Sequence, residues 1–355
     1  MSSLASQGTT RTTVSIDAPG RLHLGFLDLD ATLGRRYGSI GLAIDHPATR
    51  LTLQHVEVAG GTADTVEIQV SGHEPIRADK ALRDSIRHHQ LSGSFALHIN
   101  EAIPAHTGLG SGTQLALAVG TAVANIAADA SSAPKDVAKA LGRGARSAIG
   151  IAAFEQGGFL IDGGRGHSKT PAPLVSRLPF PEDWHVLLVM DQNGEGVHGD
   201  QELSAFANLP PMPQATAAHL CHLTLMRLLP ALIEADIETF GLAISEIQKT
   251  VGERFAPHQG GDIWASKRVG TFMAKLEHAG AFGIGQSSWG PTGFAFTPNA
   301  AAAHNLSRRF QGAAHQQGLD VAIVRGRNSG ALVTKNGPRI GQSTTNKNPM
   351  EFRKT

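Results

Sequence analysis

The chain has 355 residues, enough for about two domains, and its 31 Lys+Arg against 30 Asp+Glu leave a formal net charge of +1. Near-neutrality excludes a nucleic-acid binder held by a broad basic field, and 5% aromatic residues leave few platforms for stacking bases. A single cysteine, Cys221, excludes an internal disulfide framework and any multi-thiolate metal site.

Residues 1–13 are polar and lack the apolar core of a secretory signal. The longest apolar run, 115–128, is interrupted by Gly120, Thr121 and Asn125 and is too short to span a bilayer. A cytoplasmic protein without membrane contact is expected. Strands are expected over 12–16, 50–58 and 65–70, a helix over 80–90 and a strand over 95–99. A glycine-rich loop, 104–113, opens directly into an apolar helix, 114–128. A second helix starts near 132–134, where Pro134 suits a first turn, and runs to 147. Gly157-Gly158 and Gly163-Gly164 bracket a strand over 159–162.

Four prolines between 169 and 183 mark a boundary, dividing the chain into domains 1–180 and 181–340 and a polar tail, 341–355. Beyond it come a strand over 185–191 and helices over 216–235, 236–251 and 262–278, the last capped by Asp262 and stopped at Gly280. A second glycine-rich segment covers 281–297, followed by a helix over 299–317 and a closing strand over 321–325. Strands and helices mixed in both halves indicate an α+β, two-layer α/β protein of two domains.

The strongest local signal is Pro104-Ala105-His106-Thr107-Gly108-Leu109-Gly110-Ser111-Gly112-Thr113. Helix starts present unpaired N–H groups and partial positive charge, and glycine removes the Cβ atoms that would keep phosphate away from them. Gly108, Leu109, Gly110, Ser111, Gly112 and Thr113 are therefore candidate phosphate-binding residues, with hydroxyls that suit phosphate or Mg²⁺. The alternative is a glycine turn that merely lets a helix pack on a sheet. The loop is neither a Walker A motif nor G-x-G-x-x-G.

Together with Ala18-Pro19-Gly20-Arg21-Leu22-His23-Leu24-Gly25 and the late glycine-rich segment, this loop resembles the three ordered motifs of the GHMP kinase superfamily. The resemblance covers most of the chain and implies a two-domain fold with the middle loop around a polyphosphate. Kinases of this type commonly carry a Ser-Gly-x-Asp element whose Asp activates the substrate hydroxyl; here Ser147 matches the Ser, and Gly150 stands where the Asp belongs. No Asp lies between Val137 and Leu160. The third motif, Gly285-Gln286-Ser287-Ser288-Trp289-Gly290-Pro291, also departs from the kinase pattern.

These departures, with residues 21–29 and 150–159, resemble the β-ribofuranosylaminobenzene 5'-phosphate synthases, a non-kinase branch of the superfamily. Gly196-Val197-His198-Gly199-Asp200-Gln201-Glu202 and residues 252–261 are similar to that family as well. The resemblance implies joining of phosphoribosyl diphosphate to 4-aminobenzoate with loss of CO₂ and diphosphate, at the start of methanopterin synthesis. The attacking ring carbon bears a carboxylate instead of a proton, so no general base is needed. The same carboxylate and ring occur in 4-hydroxybenzoate. The alternatives are an ATP-dependent small-molecule kinase with a displaced base, a decarboxylase related to the diphosphomevalonate enzymes, which need the missing Asp, and a catalytically silent ligand sensor.

On this reading Arg21, His23 and Asp28 are candidate catalytic residues. Arg21, His23, Arg35, Arg36 and Tyr37 can hold the 5-phosphate or the benzoate carboxylate, and Asp17 and Asp28 the ribose hydroxyls or Mg²⁺. The alternative for Arg35 and Arg36 is solvated loop charge, and for Asp28 a turn. Gln286, Ser287, Ser288 and Trp289 are candidate substrate residues, Trp289 covering the flat ring or simply packing. Ser111 and Glu155 are candidate Mg²⁺ ligands. Asp162 and Arg165, among four glycines, reach the site or pair with each other. His219, Cys221 and His222 share a helix without metal-ligand spacing, and Arg83, Arg87, His88 and His89 read as a solvated face. The apolar helix 216–235 and family precedent make a homodimer the expected assembly.

Overall fold

A computed structural model describes residues 11–57, 66–127, 133–167, 170–194 and 204–335. The polar tail and the segment Gly196–Glu202 lie outside the described residues.

The first sheet contains β1 (Arg11–Asp28), β2 (Tyr37–Val56), β3 (Val66–Gly72) and β4 (Gly93–Glu101). It also takes β5 (Phe159–Asp162), β6 (Leu174–Leu178) and the last strand, β11 (Leu332–Lys335), in the path β11-β1-β2-β4-β3 with β5 and β6 branching from β2. The strand expected at 12–16 continues through Pro19-Gly20 to Asp28, because a register shift between Ala18 and Gly20 accommodates the proline that cannot donate to the ladder. Apolar side chains of the outer half of this sheet, among them Val14, Ile16, Leu53 and Leu97, are buried against α1 (Pro75–His89) and α2 (Ser111–Ile126).

The second sheet runs β10-β7-β9-β8, with β7 (His185–Asp191), β8 (Phe282–Gln286), β9 (Thr292–Thr297) and β10 (Leu319–Arg325) all antiparallel. Along β7, Val186 and Leu188 face the core shared with the first sheet, while Leu187 and Val189 face helices Lys267–His278 and Ala300–Gln316. This is the period-two alternation of a strand buried on both faces. The shared core joins Leu22, Leu24 and Phe26 to Phe240, Ile247 and Phe255 of helix Ile237–Phe255, so the first motif is packed against the second half of the molecule.

Several expected boundaries move. The helix expected over 132–147 is α3 (Pro134–Ala140) alone, ended by the left-handed Gly142 (φ 65°) and Gly144 (φ 81°); a separate helix, α4 (Ile149–Glu155), follows the turn. Helix 267–278 is capped by Ser266, whose hydroxyl accepts from the Val269 amide at 3.3 Å, whereas Asp262 caps the preceding turn at Trp264. Strand 319–325 does not close the fold. Residues 332–335 return to pair with β1, so the division at residue 180 separates the two sheets except for this strand.

The helix Gln214–Glu234 contains a π-helical turn over Thr224–Leu228. By length and composition it is apolar enough to cross a membrane, although no segment is expected to do so from the sequence. It buries Leu220, Leu223, Leu228 and Leu232 in the shared core.

Candidate active site

Three glycine-bearing segments meet at the start of α2. Gly110 takes φ 89° as the residue before the helix, and its carbonyl accepts from the Thr113 and Gln114 amides at 3.1 and 3.0 Å. The helix thus begins at Ser111, three residues earlier than expected, and places the Ser111 and Thr113 hydroxyls in its first turn. The Arg21 amide donates to the Leu109 carbonyl at 3.1 Å, and the Arg21 guanidinium donates to the Gly108 carbonyl. Ser287 completes the junction: its hydroxyl donates to the Gly108 carbonyl at 2.7 Å and accepts from the His23 amide at 3.0 Å. A Cβ on Gly108 would stand 2.1 Å from the Ser287 carbonyl oxygen, and one on Gly290 2.3 Å from that of Thr107. Only glycine permits this backbone-on-backbone approach of the second and third motifs.

Beside the junction lies a cleft of about 280 Å³ lined by the 108–113 loop, Ser288, Trp289 and four arginines, Arg21, Arg77, Arg143 and Arg146. No carboxylate lines it among the described residues. Glu74 pairs with Arg77 at 3.1 Å. Arg146 lies over the Phe206 ring at 4.7 Å, and Phe206 stacks on Trp289 at 4.6 Å. Guanidiniums, a helix start and a glycine loop together make a site for a multiply charged anion.

Arg77, Arg143 and Arg146 are absent from the sequence expectations. Gly142-Arg143-Gly144 has the glycine-flanked arginine pattern that singled out Arg35 and Arg36, but the expected helix to 147 absorbs it. Arg77 lies just upstream of the expected helix start.

The expected site residues divide sharply. Arg21, Ser288, Trp289 and residues 108 and 110–113 line the cleft. His23 is buried, and burial together with Arg21 and Arg146 pushes its pKa down to about 3. A neutral imidazole gives no charge-assisted grip on an anion. Asp28 is occupied by its own turn, accepting from the Asp30 amide at 2.9 Å and from the Thr32 amide and hydroxyl at 2.9 and 2.6 Å.

Arg35 donates to the Gly163 and Gly164 carbonyls at 2.7 Å each, and Arg36 pairs with Asp30 at 3.6 Å. Tyr37 packs on Phe26 and Phe206, so residues 35–37 tie a loop to the protein and none lines the cleft. Gln286 is a buried connector, accepting from the Ala265 amide and donating to Gln259. Ser287 is fully buried and acts through Gly108 and His23. Asp162 does not pair with Arg165; it accepts from the Ala148, Gly164 and Ser39 amides and the Ser147 hydroxyl.

Gly150 sits against the phosphate loop. A Cβ there would lie 3.0 Å from Thr113 Cγ2, and its carbonyl accepts from Gln114 Nε2 at 2.7 Å. A side chain at Gly150 would thus stand beside the loop and press on the Thr113 methyl group, which would have to give by a few tenths of an ångström. For Mg²⁺, Glu155 stands at the far end of α4, backed by Gly330, and does not line the cleft. Ser111 and Thr113 hydroxyls remain, a donor set that fits an ion carried in by a polyphosphate.

The fold and the anion cleft define a protein of the GHMP class, and residues 76–158 and 228–316 match the GHMP kinases N-terminal and C-terminal domains. Homoserine kinase from Cytophaga hutchinsonii superposes with a TM-score of 0.63 at 16% identity, over 94% of this chain and 99% of that one. Mevalonate diphosphate decarboxylase from Staphylococcus aureus superposes at 0.61 and 15% identity, over 92% and 98%. At those identities the likeness is one of fold.

The chain belongs to the β-ribofuranosylphenol 5'-phosphate synthase family. It is 31% identical to the synthase of that name from Archaeoglobus fulgidus, over 89% of this chain and 97% of the relative. It is 34% identical to the one from Methanocaldococcus jannaschii, over 79% and 88%.

Proposed function

We propose that this chain transfers the phosphoribosyl group of phosphoribosyl diphosphate to a para-substituted benzoate, with loss of CO₂ and diphosphate. With 4-aminobenzoate the product is β-ribofuranosylaminobenzene 5'-phosphate, an early intermediate of methanopterin synthesis; with 4-hydroxybenzoate it is the phenol in the relatives' name. The observation that carries the reading is a cleft with four arginines and a glycine loop that no carboxylate lines among the described residues, with glycine at position 150 beside Thr113.

The C1–O bond of the donor breaks with its electron pair going to diphosphate, whose growing charge is met by helix-start amides and guanidiniums. The ring carbon bearing the carboxylate attacks C1 from the opposite face. The pair of the ring–carboxylate bond then returns to the ring as CO₂ leaves, so no proton has to be removed from the attacking carbon. Arg21 orients the loop through Gly108, and Trp289 with Phe206 provides an aromatic wall for the acceptor. Mg²⁺ bound to the diphosphate, near Ser111 and Thr113, would add charge neutralisation.

We place the enzyme in the cytoplasm as a homodimer, paired through helix 214–234, where Leu225 and Met226 are 63% and 64% exposed. Light scattering should give the mass of two chains; a monomer overturns that part. The reaction is tested with carboxyl-labelled 4-aminobenzoate and 4-hydroxybenzoate. Labelled CO₂ must appear with at least one acceptor, and only when phosphoribosyl diphosphate is present. ADP formation from ATP and an alcohol, without CO₂, would replace this reading with the kinase one.

A further inference from the structure

We propose that Arg77 and Arg143 form the clamp that binds the diphosphate group at the start of α2 and stabilises it as it leaves. The catalytic part of this assignment rests on the transferase reading; the binding part rests on geometry alone. A Cβ placed on Gly112 would lie 3.0 Å from Arg77 Nη2 and 3.5 Å from Arg143 Nη1, so the two guanidiniums converge on one point above the first turn of the helix. Both line the cleft with Ser111, Gly112 and Thr113.

Two like charges so close repel unless an anion stands between them, and each is held there by its own device. Glu74 takes one nitrogen of Arg77 at 3.1 Å, which leaves Nη2 facing the Ser111 hydroxyl at 3.4 Å. Arg143 is delivered by the turn that ends α3. Its amide donates to the Ala138 carbonyl at 2.7 Å, and the left-handed Gly142 and Gly144 flank it. Its side chain has no ion pair or hydrogen bond among the described residues. Desolvation and the neighbouring Arg77 both lower its pKa, the signature of a cation without a counter-charge.

Arg21 and Arg146 stand apart from this pair. Arg21 lies against Gly110, Arg146 on Phe206, and both act on His23. The cleft thus has a cationic end at Gly112 and another at the aromatic wall. The acceptor ring belongs at the aromatic end, and the helix start receives the leaving diphosphate. Paired guanidiniums match the non-bridging oxygens of a diphosphate in a planar, multidentate fashion. No proton moves in this step, since the departing oxygen carries away the electron pair of the C1–O bond.

The test uses full-length Arg77→Gln, Arg143→Gln and the corresponding Lys variants, with calorimetric titration of inorganic diphosphate and separate titration of ribose 5-phosphate. Each Gln variant should weaken diphosphate binding by at least about tenfold and lower kcat by a similar factor or more, with the KM of the benzoate unchanged. The Lys variants should recover part of the binding. Unchanged diphosphate affinity in Arg143→Gln overturns the proposal, as does a loss confined to ribose 5-phosphate. If wild-type protein releases no CO₂ yet loses diphosphate binding on Arg143→Gln, the clamp stands and the transferase reading falls.

Discussion

Ser287 joins all three motifs with one hydroxyl, bonded to the Gly108 carbonyl and the His23 amide. Ser287→Ala leaves both backbone groups without that partner in a fully buried place, which costs about 1–3 kcal/mol. Because Gly108 holds the cleft wall, the variant should also lose activity at temperatures where it remains folded; urea unfolding and a rate assay on the folded protein separate the two effects. His23 gives a pH signature. Its folded pKa of about 3 lies below the ordinary 6.5, so the unfolded chain takes up a proton that the folded chain refuses. That contribution to stability is complete above 6.5 and is lost as pH falls from 6.5 towards 3, by at most about 1.4 kcal/mol per pH unit. His23→Gln should flatten the stability profile between these limits. A profile identical to wild type would mean that His23 titrates normally.

At the scale of elements, the phosphate loop and the third motif are legible in the sequence because clustered glycine serves few purposes beyond tight turns and close backbone approach. The arginines are not, since their placement depends on where α3 ends. The apolar pattern of 137–141 reads on as a longer helix, and only the left-handed Gly142 and Gly144 turn Arg143 into the cleft. Asp28 and Arg35 stay out of the cleft for a different reason: sequence shows the polar side chain but not the Asp30 and Thr32 amides that occupy Asp28, nor the Gly163 and Gly164 carbonyls that occupy Arg35.

Helix α4 is set by Asp162, which accepts from the Ala148 amide and Ser147 hydroxyl at 2.9 and 3.2 Å. Asp162→Ala strands these donors and should cost about 3 kcal/mol, against less for Asp162→Asn, as read by the urea midpoint. Gly150→Asp, which restores the kinase residue type, should push Thr113 out of line, lower donor affinity at least about tenfold and yield no kinase activity. ADP formation by that variant with a small alcohol would show instead that an Asp fits there and serves as a kinase base.

Across the whole molecule, the two sheets share one core through which β1 passes, and that core brings residues 21–23, 108–113 and 285–290 together. The mixed pattern of both halves suffices for the fold class, while the return of strand 332–335 to the first sheet follows from no local signal. Four residues of β11 carry too little periodicity to be read without their partner β1. A fold shared with kinases and a decarboxylase here surrounds a cleft that no carboxylate lines among the described residues, and in the proposed reaction bond formation and decarboxylation replace proton removal. The most direct measurement is the ratio of CO₂ to diphosphate released during turnover of phosphoribosyl diphosphate with the preferred benzoate. One CO₂ is expected for each diphosphate, with no ADP formed when ATP is supplied. Diphosphate released without CO₂, or ADP formed in step with a phosphorylated alcohol, would overturn the transferase reading.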